Sequence, residues 1–354
     1  MSLKTRLIEQ ITLEGPISIA DYMTQCLLDP IDGYYMKRPA LGADGDFITA
    51  PMVSQMFGEM LGVWVAQVWQ NLGAPERFRL VEVGGGDGTL MSDMLRVAER
   101  VPGLRAAADV VMIEPSPVLR NLQSQKVPHA VFQASLDALP QGLPVILVAN
   151  EVLDCLPARQ FVRTETGWYE RRIGVQSDEL VFGLAATEFT PPFEAAIGEI
   201  VEVSAPQLHF AQQIAHLLKA ATGAALLIDY GRAIRETGDT LQALHRHQKH
   251  LPLAAPGAHD LTVWADFPAV AEAARQIGIK VSAITSQAAF LHALGIDARL
   301  AALQARHPEQ NDKLQRQFDR LIAPDQMGEL FKAVAFASSD TIALPGLEAA
   351  GDAA

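Results

Sequence analysis

Residues 80–90, Leu-Val-Glu-Val-Gly-Gly-Gly-Asp-Gly-Thr-Leu, constrain the fold more than any other stretch of this chain. An apolar run enters glycines at alternate positions, Gly84, Gly86 and Gly88. A helical pattern of Leu90, Met91, Met94 and Leu95 leaves them. Glycine lets the backbone turn tightly and lets a ligand approach where a Cβ would collide. A glycine turn between strand and helix is how doubly wound α/β folds make room for a nucleotide-like group.

The dinucleotide fingerprint is G-x-G-x-x-G, with a pyrophosphate on the helix N-terminus. The spacing here is G-x-G-x-G, Thr89 stands where the third dinucleotide glycine belongs, and Glu82 lies two residues before the first glycine. This combination resembles the first motif of S-adenosylmethionine-dependent methyltransferases. That cofactor has no phosphate and carries an ammonium, which an acid near the loop suits. Taken alone, the loop leaves a dinucleotide or a purely structural turn open.

The chain has 354 residues, 49% hydrophobic and 19% charged, enough for a substantial core in one large or two smaller domains. A net charge of −13 argues against a general nucleic-acid binder, which needs clustered Lys and Arg, and permits a basic protein or peptide partner. Two cysteines, Cys26 and Cys155, exclude a disulfide framework and a multi-cysteine zinc site. They suit a reducing cytoplasm. No apolar run approaches the ~20 residues of a membrane span. The N-terminus reads as an amphipathic helix start, with neither a signal-peptide core nor a transit-peptide composition. The expected location is therefore cytoplasmic.

Residues 3–28 read as helical, with a start signal at Ser18 and Asp21. Residues 29–51 form a long turn-rich loop holding Tyr34, Tyr35 and Phe47, and residues 52–72 an apolar helix. Strand-like runs then alternate with helices: Arg79–Val83, Asp109–Ile113, Ala130–Phe132 and Pro144–Ala149. Past Pro157, the runs Gln160–Thr164, Trp168–Val175 and Leu180–Ala185 look antiparallel, joined by short turns. A helix over 206–221 leads to strand Ala224–Asp229. A loop at 232–260 follows, then a helix over 266–277 and strands Ile279–Ile284 and Phe331–Ala337. These patterns predict a helical N-terminal segment over 1–78 that includes the long loop. A core over 79–337 follows, with insertions at 158–205 and 232–265, the first of them antiparallel β. Residues 338–354 read as a flexible tail.

Ligands of open α/β sheets lie beyond the C-terminal strand ends. The second core strand ends at Glu114, followed by Ser116, and a carboxylate there can accept both hydroxyls of a ribose. After the third strand come Ser135 and Leu136, a common place for adenine contacts. The fourth ends Asn150-Glu151, with Asp154 three residues on. The Asn-Pro-Pro-aromatic motif of many N-methyltransferases is absent there, apart from its Asn. Glu151 and Asp154 can orient a guanidinium by bidentate bonds and accept its proton. Either can equally cap the helix that follows. The fifth strand ends at Asp229, at the cleft or capping a turn. His245, His247, His250 and His259 lack the spacing of a metal site, so no metal is expected. Neither a Gly-x-Ser-x-Gly elbow nor a Walker loop is present.

Several motifs in order resemble the MidA-like family, the mitochondrial respiratory complex I assembly-factor methyltransferases and their bacterial relatives. They are Asp32-Gly-Tyr-Tyr-Met36, Gly45-Asp-Phe-Ile-Thr-Ala-Pro51, Ser54-Gln-Met-Phe-Gly-Glu59 and the glycine loop. Next come Asn150-Glu151 through Asp154 to Pro157, Gly167-Trp168, Ile228-Asp-Tyr-Gly231, Asp239-Thr-Leu-Gln242, Asp260-Leu-Thr262, Asp266-Phe267 and Met327-Gly328. The resemblance covers about residues 18–337.

It implies a Rossmann-like class I methyltransferase fold, a seven-stranded sheet of order 3-2-1-4-5-7-6 with helices on both faces, an N-terminal cap and inserted segments. It implies S-adenosylmethionine as cofactor, with Gly84, Gly86, Gly88 and Glu114 as its contacts, and Glu82, Ser116, Ser135, Leu136 and Asn150 are further candidates from their places at the loop and strand ends. Glu151, Asp154 and Asp46 are the catalytic candidates. Tyr34, Phe47 and Thr49, with Asp229, are candidates for a lid or acceptor site. The implied reaction is symmetric dimethylation of an arginine on the 49-kDa-type, quinone-proximal subunit of complex I, with a homodimer possible.

Three motifs depart from the family pattern. Gly84-Gly-Gly-Asp-Gly88 replaces Gly-Pro-Gly-Arg-Gly, Met52 replaces a Glu, and Trp264 replaces a His. They put the shared acceptor in doubt more than the cofactor. A small-molecule methyltransferase, a cofactor-binding assembly chaperone and a nicotinamide dehydrogenase are the competing readings, and Thr89 counts against the last.

Overall fold

Four apolar runs form the parallel heart of the main sheet: β1 (Phe78–Val83), β2 (Ala108–Ile113), β3 (Val131–Gln133) and β4 (Val145–Asn150). Each starts and ends within one residue of its expected bounds. The computed structural model describes residues 1–37, 49–245 and 248–347. The sheet continues with β5 (Gly223–Arg232), β6 (Lys280–Val281) and β7 (Phe331–Ala337). The strand path is β3-β2-β1-β4-β5-β7-β6, with β7 antiparallel to both neighbours and helices on both faces. This is the class I methyltransferase order. β1, β4 and β5 are buried along almost their whole length, as central parallel strands are on both faces, and in β1 this buries the charged Arg79 and Glu82 as well.

The chain divides into two compact units. One comprises Met1–Phe47, Leu153–Leu208 and Ile234–Asp266, and the other Ile48–Val152, His209–Ala233 and Phe267–Ala354. The second holds the main sheet. Its core includes Phe57, Leu61 and Trp64 of the helix Gln55–Asn71, so that helix belongs with the sheet and not with the N-terminal helices. In the first unit, helices Leu3–Glu14 and Ile19–Leu28 share a core with Ile173 and Leu180 of the first insertion and Leu261 and Val263 of the second. The expected separate cap and insertions are thus one body.

Ser18 starts the second helix as anticipated. Its Oγ accepts from the Asp21 amide at 3.0 Å, and the Asp21 carboxylate accepts from the Ser18 amide. The first insertion is an antiparallel sheet. Arg159–Thr164 and Gly167–Gln176 pair centrally, Ile200–Val203 lies beyond the former, and Glu179–Ala186 flanks the latter.

Three expectations are corrected. The segment read as the loop 232–260 contains strands Gln242–His245 and Gln248–His250, which pair with each other, and the former also pairs with Asp260–Thr262. The run Ile279–Ile284 is a strand only at Lys280–Val281, with a second short pairing at Thr285–Ser286. Ser282 breaks it, because its hydroxyl takes the Ala335 amide at 2.9 Å. The tail is not frayed over its first part, since Ile342, Leu344 and Leu347 are buried in the core. Residues 348–354 lie outside the described residues.

Candidate active site

The glycine loop leaves β1 with φ of +66° at Gly84, +52° at Gly86 and +85° at Gly88. Side chains rarely adopt that region, so the sequence needs glycine at these points. A Cβ on Gly84 would also come within 2.9 Å of Val152 Cγ2. The Gly84 amide bonds to Ile113 O and the Gly88 amide to Gly85 O, and Gly88 caps the helix Thr89–Ala98. Asp87 is held by Lys126 Nζ at 2.6 Å. Burial pushes its carboxyl up, but hydrogen bonds from Lys126 and Thr89 outweigh this, and it titrates below the usual range. The extra acid is thus neutralised locally.

Glu82 points under the loop. It is buried, and its Oε2 has no hydrogen-bond partner among the described residues. Burial, then the charges of Asp87 and Glu114, push its carboxyl up to about 8, and a bond from the Met91 amide partly offsets this. Glu114 ends β2, also buried. Its Oε1 accepts from the Ser116 amide at 2.8 Å and its Oε2 from Gln123 Nε2 at 3.2 Å. Burial raises its pKa against the pull of those two bonds. Each carboxylate oxygen has two acceptor sites, so each keeps one for a hydroxyl.

Ser116 contributes its amide to Glu114, while its hydroxyl caps the helix Pro117–Lys126. Ser135 is exposed and Leu136 buried, in a short 3-10 turn after β3. Asn150 is buried at the end of β4. Its Nδ2 donates to Glu151 Oε1, and its Oδ1 has no partner among the described residues.

Glu151 has φ +54°, a conformation costly outside glycine, and its amide bonds to Ile228 O. Its Oε1 accepts from the Ala50 amide at 3.1 Å. Thr49, the cap of helix Ala50–Val53, is therefore brought beside the end of β4. Asp229 is fully buried inside β5, which runs on to Arg232, lies opposite Lys332 of β7, and accepts from the Tyr230 amide.

Asp154 and Tyr34 belong to the other unit. Asp154 is buried, and its carbonyl accepts from the Val263 amide. The Tyr34 ring meets Tyr35 edge-on at 5.2 Å, and the Tyr35 hydroxyl donates to Asp260 at 3.0 Å. Asp46 and Phe47 lie outside the described residues. Of the histidines, His245, His250 and His259 have ring centroids 4.6–5.9 Å apart, and His247 is not described. Among the described residues no cluster of His, Cys, Asp or Glu could hold a metal.

The sequence reading missed Gln123, a fully buried amide that touches both the loop and Glu114. No motif marks it.

These residues fit S-adenosylmethionine. The bare loop backbone admits its methionine end, the orphaned Glu82 oxygen matches an ammonium, and Glu114 matches a ribose diol. Residues 60–285 match the family described as "Putative S-adenosyl-L-methionine-dependent methyltransferase". Proteins named protein arginine methyltransferase NDUFAF7, mitochondrial, are similar over most of the chain. The one from Danio rerio is 34% identical over 94% of this chain and 86% of its own length. The one from Homo sapiens is 34% identical over 92% and 81%. A COG1565 superfamily member from Burkholderia thailandensis, crystallised with S-adenosyl-homocysteine, superposes with a TM-score of 0.86 at 29% identity. It covers 96% of this chain and 92% of its own. The chain thus belongs to the MidA-like family and is an S-adenosylmethionine-dependent methyltransferase.

Proposed function

We propose that the protein methylates an arginine of a protein acceptor. The observation that carries this is Glu151, held in a left-handed conformation at the end of β4 with its carboxylate anchored by the Ala50 amide. A strained, pre-placed carboxylate beyond a strand end is where this fold meets its second substrate. A guanidinium stays protonated at ordinary pH, so its methylation needs an anionic group to orient it and accept a proton. The bound cofactor supplies a methyl group on a sulfonium. Glu151 would hold the acceptor guanidinium by charge-assisted hydrogen bonds. It would take the proton that the nitrogen releases as its bond to carbon forms. Asp154 and Asp46 are the further carboxylates to be tested by substitution.

The similarity to proteins named protein arginine methyltransferase supports arginine as acceptor. The family resemblance points to the quinone-proximal subunit of complex I, and the net charge of −13 suits a cationic partner. Neither Cys26 nor Cys155 is in a disulfide, which supports a reducing, cytoplasmic location.

The test is incubation of the purified protein with methyl-labelled cofactor and that subunit, followed by mass spectrometry of its arginines. Mono- or dimethylarginine is the expected product. An unmodified subunit, together with unchanged arginine methylation in cells lacking the gene, would overturn this acceptor. The fold would then be left to a small-molecule substrate.

A further inference from the structure

The helix Pro117–Lys126 sends two side chains, three residues apart, onto the glycine loop. Gln123 donates through Nε2 to Gly86 O at 3.0 Å and to Glu114 Oε2 at 3.2 Å. Lys126 Nζ reaches Asp87 Oδ2 at 2.6 Å and Thr89 Oγ1 at 2.5 Å. The helix backbone is equally near, since a Cβ on Gly88 would lie 3.1 Å from Gln123 Cα.

Packing does not explain an amide at this position. Gln123 is fully buried, and its Oε1 has no partner among the described residues. An apolar side chain of the same length would fill the space without the cost of burying that oxygen. What the amide adds is a link between the loop carbonyl and the carboxylate on the neighbouring strand.

We propose that Gln123 is a positioning residue for the cofactor. It ties Gly86 to Glu114, so that the loop facing the methionine end and the carboxylate facing the ribose keep one fixed register. Lys126 holds the far end of the loop through Asp87 and Thr89. The inference rests on the reading of the loop and Glu114 as cofactor contacts. The physical need lies in the loop itself: Gly84, Gly85 and Gly86 are three consecutive glycines, with much backbone freedom to lose when a ligand binds. A clamp that orders the loop beforehand removes that loss from the binding step.

The test is calorimetric titration of the full-length protein with S-adenosylhomocysteine, for the wild type, Gln123→Met and Gln123→Glu. Loss of hydrogen bonds to a charged group predicts about 10- to 100-fold weaker binding by Gln123→Met. Gln123→Glu places a second carboxyl beside Glu114. Its binding is weak at about pH 8 and recovers as the pair takes up a proton at lower pH, beyond any change in the wild type. A merely structural role would lower the melting temperature without moving affinity or its pH profile. Binding by both variants within about twofold of wild type would overturn the proposal. If Gln123→Met fails to fold, the pH recovery of Gln123→Glu decides. Wild-type protein that ignores S-adenosylhomocysteine would instead sink the cofactor assignment and leave the clamp as pure architecture.

Discussion

The Glu151 carboxylate accepts a hydrogen bond from the backbone amide of Ala50 at 3.1 Å, across 101 residues of sequence. It joins the end of the fourth strand to the start of the Ala50–Val53 helix. Glutamine at 151 keeps an oxygen for that bond and loses the charge. Glu151→Gln should therefore fold normally and bind S-adenosylhomocysteine like the wild type. Methyl transfer should fall about 100-fold or more, the usual loss when a general base is removed. Single-turnover transfer of labelled methyl measures this. Unimpaired transfer would remove Glu151 from the chemistry.

The Glu82 carboxyl, pushed up to about 8, makes the empty protein less stable as pH rises. Between its ordinary value of 4.5 and that raised value, the unfolded chain is ionised while the native state keeps its proton. The penalty is absent below the ordinary value, grows through this window and is complete above the raised value. Glu82→Gln should raise the melting temperature near neutral pH and leave it unchanged in acid. Melting curves across this range, with no pH-dependent gap between variant and wild type, would contradict the assignment.

Cofactor binding should draw the proton off Glu82, because an ammonium nearby favours the carboxylate. Titration with S-adenosylhomocysteine in two buffers of different ionisation enthalpy should reveal proton release near neutral pH. Glu82→Gln should release fewer protons. Identical heats for wild type in both buffers would show that the carboxyl does not respond to the ligand.

At Gly84 the backbone has φ +66°, and an added Cβ would lie 2.9 Å from Val152 Cγ2. Gly84→Val combines a left-handed conformation, costing about 1–2 kcal/mol, with that contact. It should abolish stabilisation by S-adenosylmethionine in a thermal-shift assay while NAD stays without effect on either form. Retained affinity would mean that the loop does not receive the cofactor.

Truncation after Ser338 removes the buried side chains Ile342, Leu344 and Leu347. It also removes carbonyl acceptors for Asn71 and Lys280. Each fully buried aliphatic side chain contributes about 1.5–3 kcal/mol. The shortened protein should melt several degrees lower than the full-length chain. Equal melting of the two would contradict the packing of this segment.

Local patterns in the sequence determined the strands of the parallel sheet, the Ser18–Asp21 cap and the glycine turn. Each is written in neighbouring residues: apolar runs, a hydroxyl three residues from an acid, and glycines where φ must be positive. The carboxylates at the ends of the second and fourth strands were legible for the same reason, since strand ends face the cleft in this class of fold. The sequence did not reveal that the N-terminal helices and both insertions share a core, nor that Ile342, Leu344 and Leu347 of the tail are buried. Nor did it indicate that Lys126 neutralises Asp87, that Ala50 anchors Glu151, or that Gln123 bridges the loop and Glu114. Most of these depend on partners tens or hundreds of residues apart. Periodicity and motif spacing record only what a short stretch of backbone must do. Which distant side chain meets it is decided when the chain packs, so the cofactor was readable in advance and the machinery that steadies it was not.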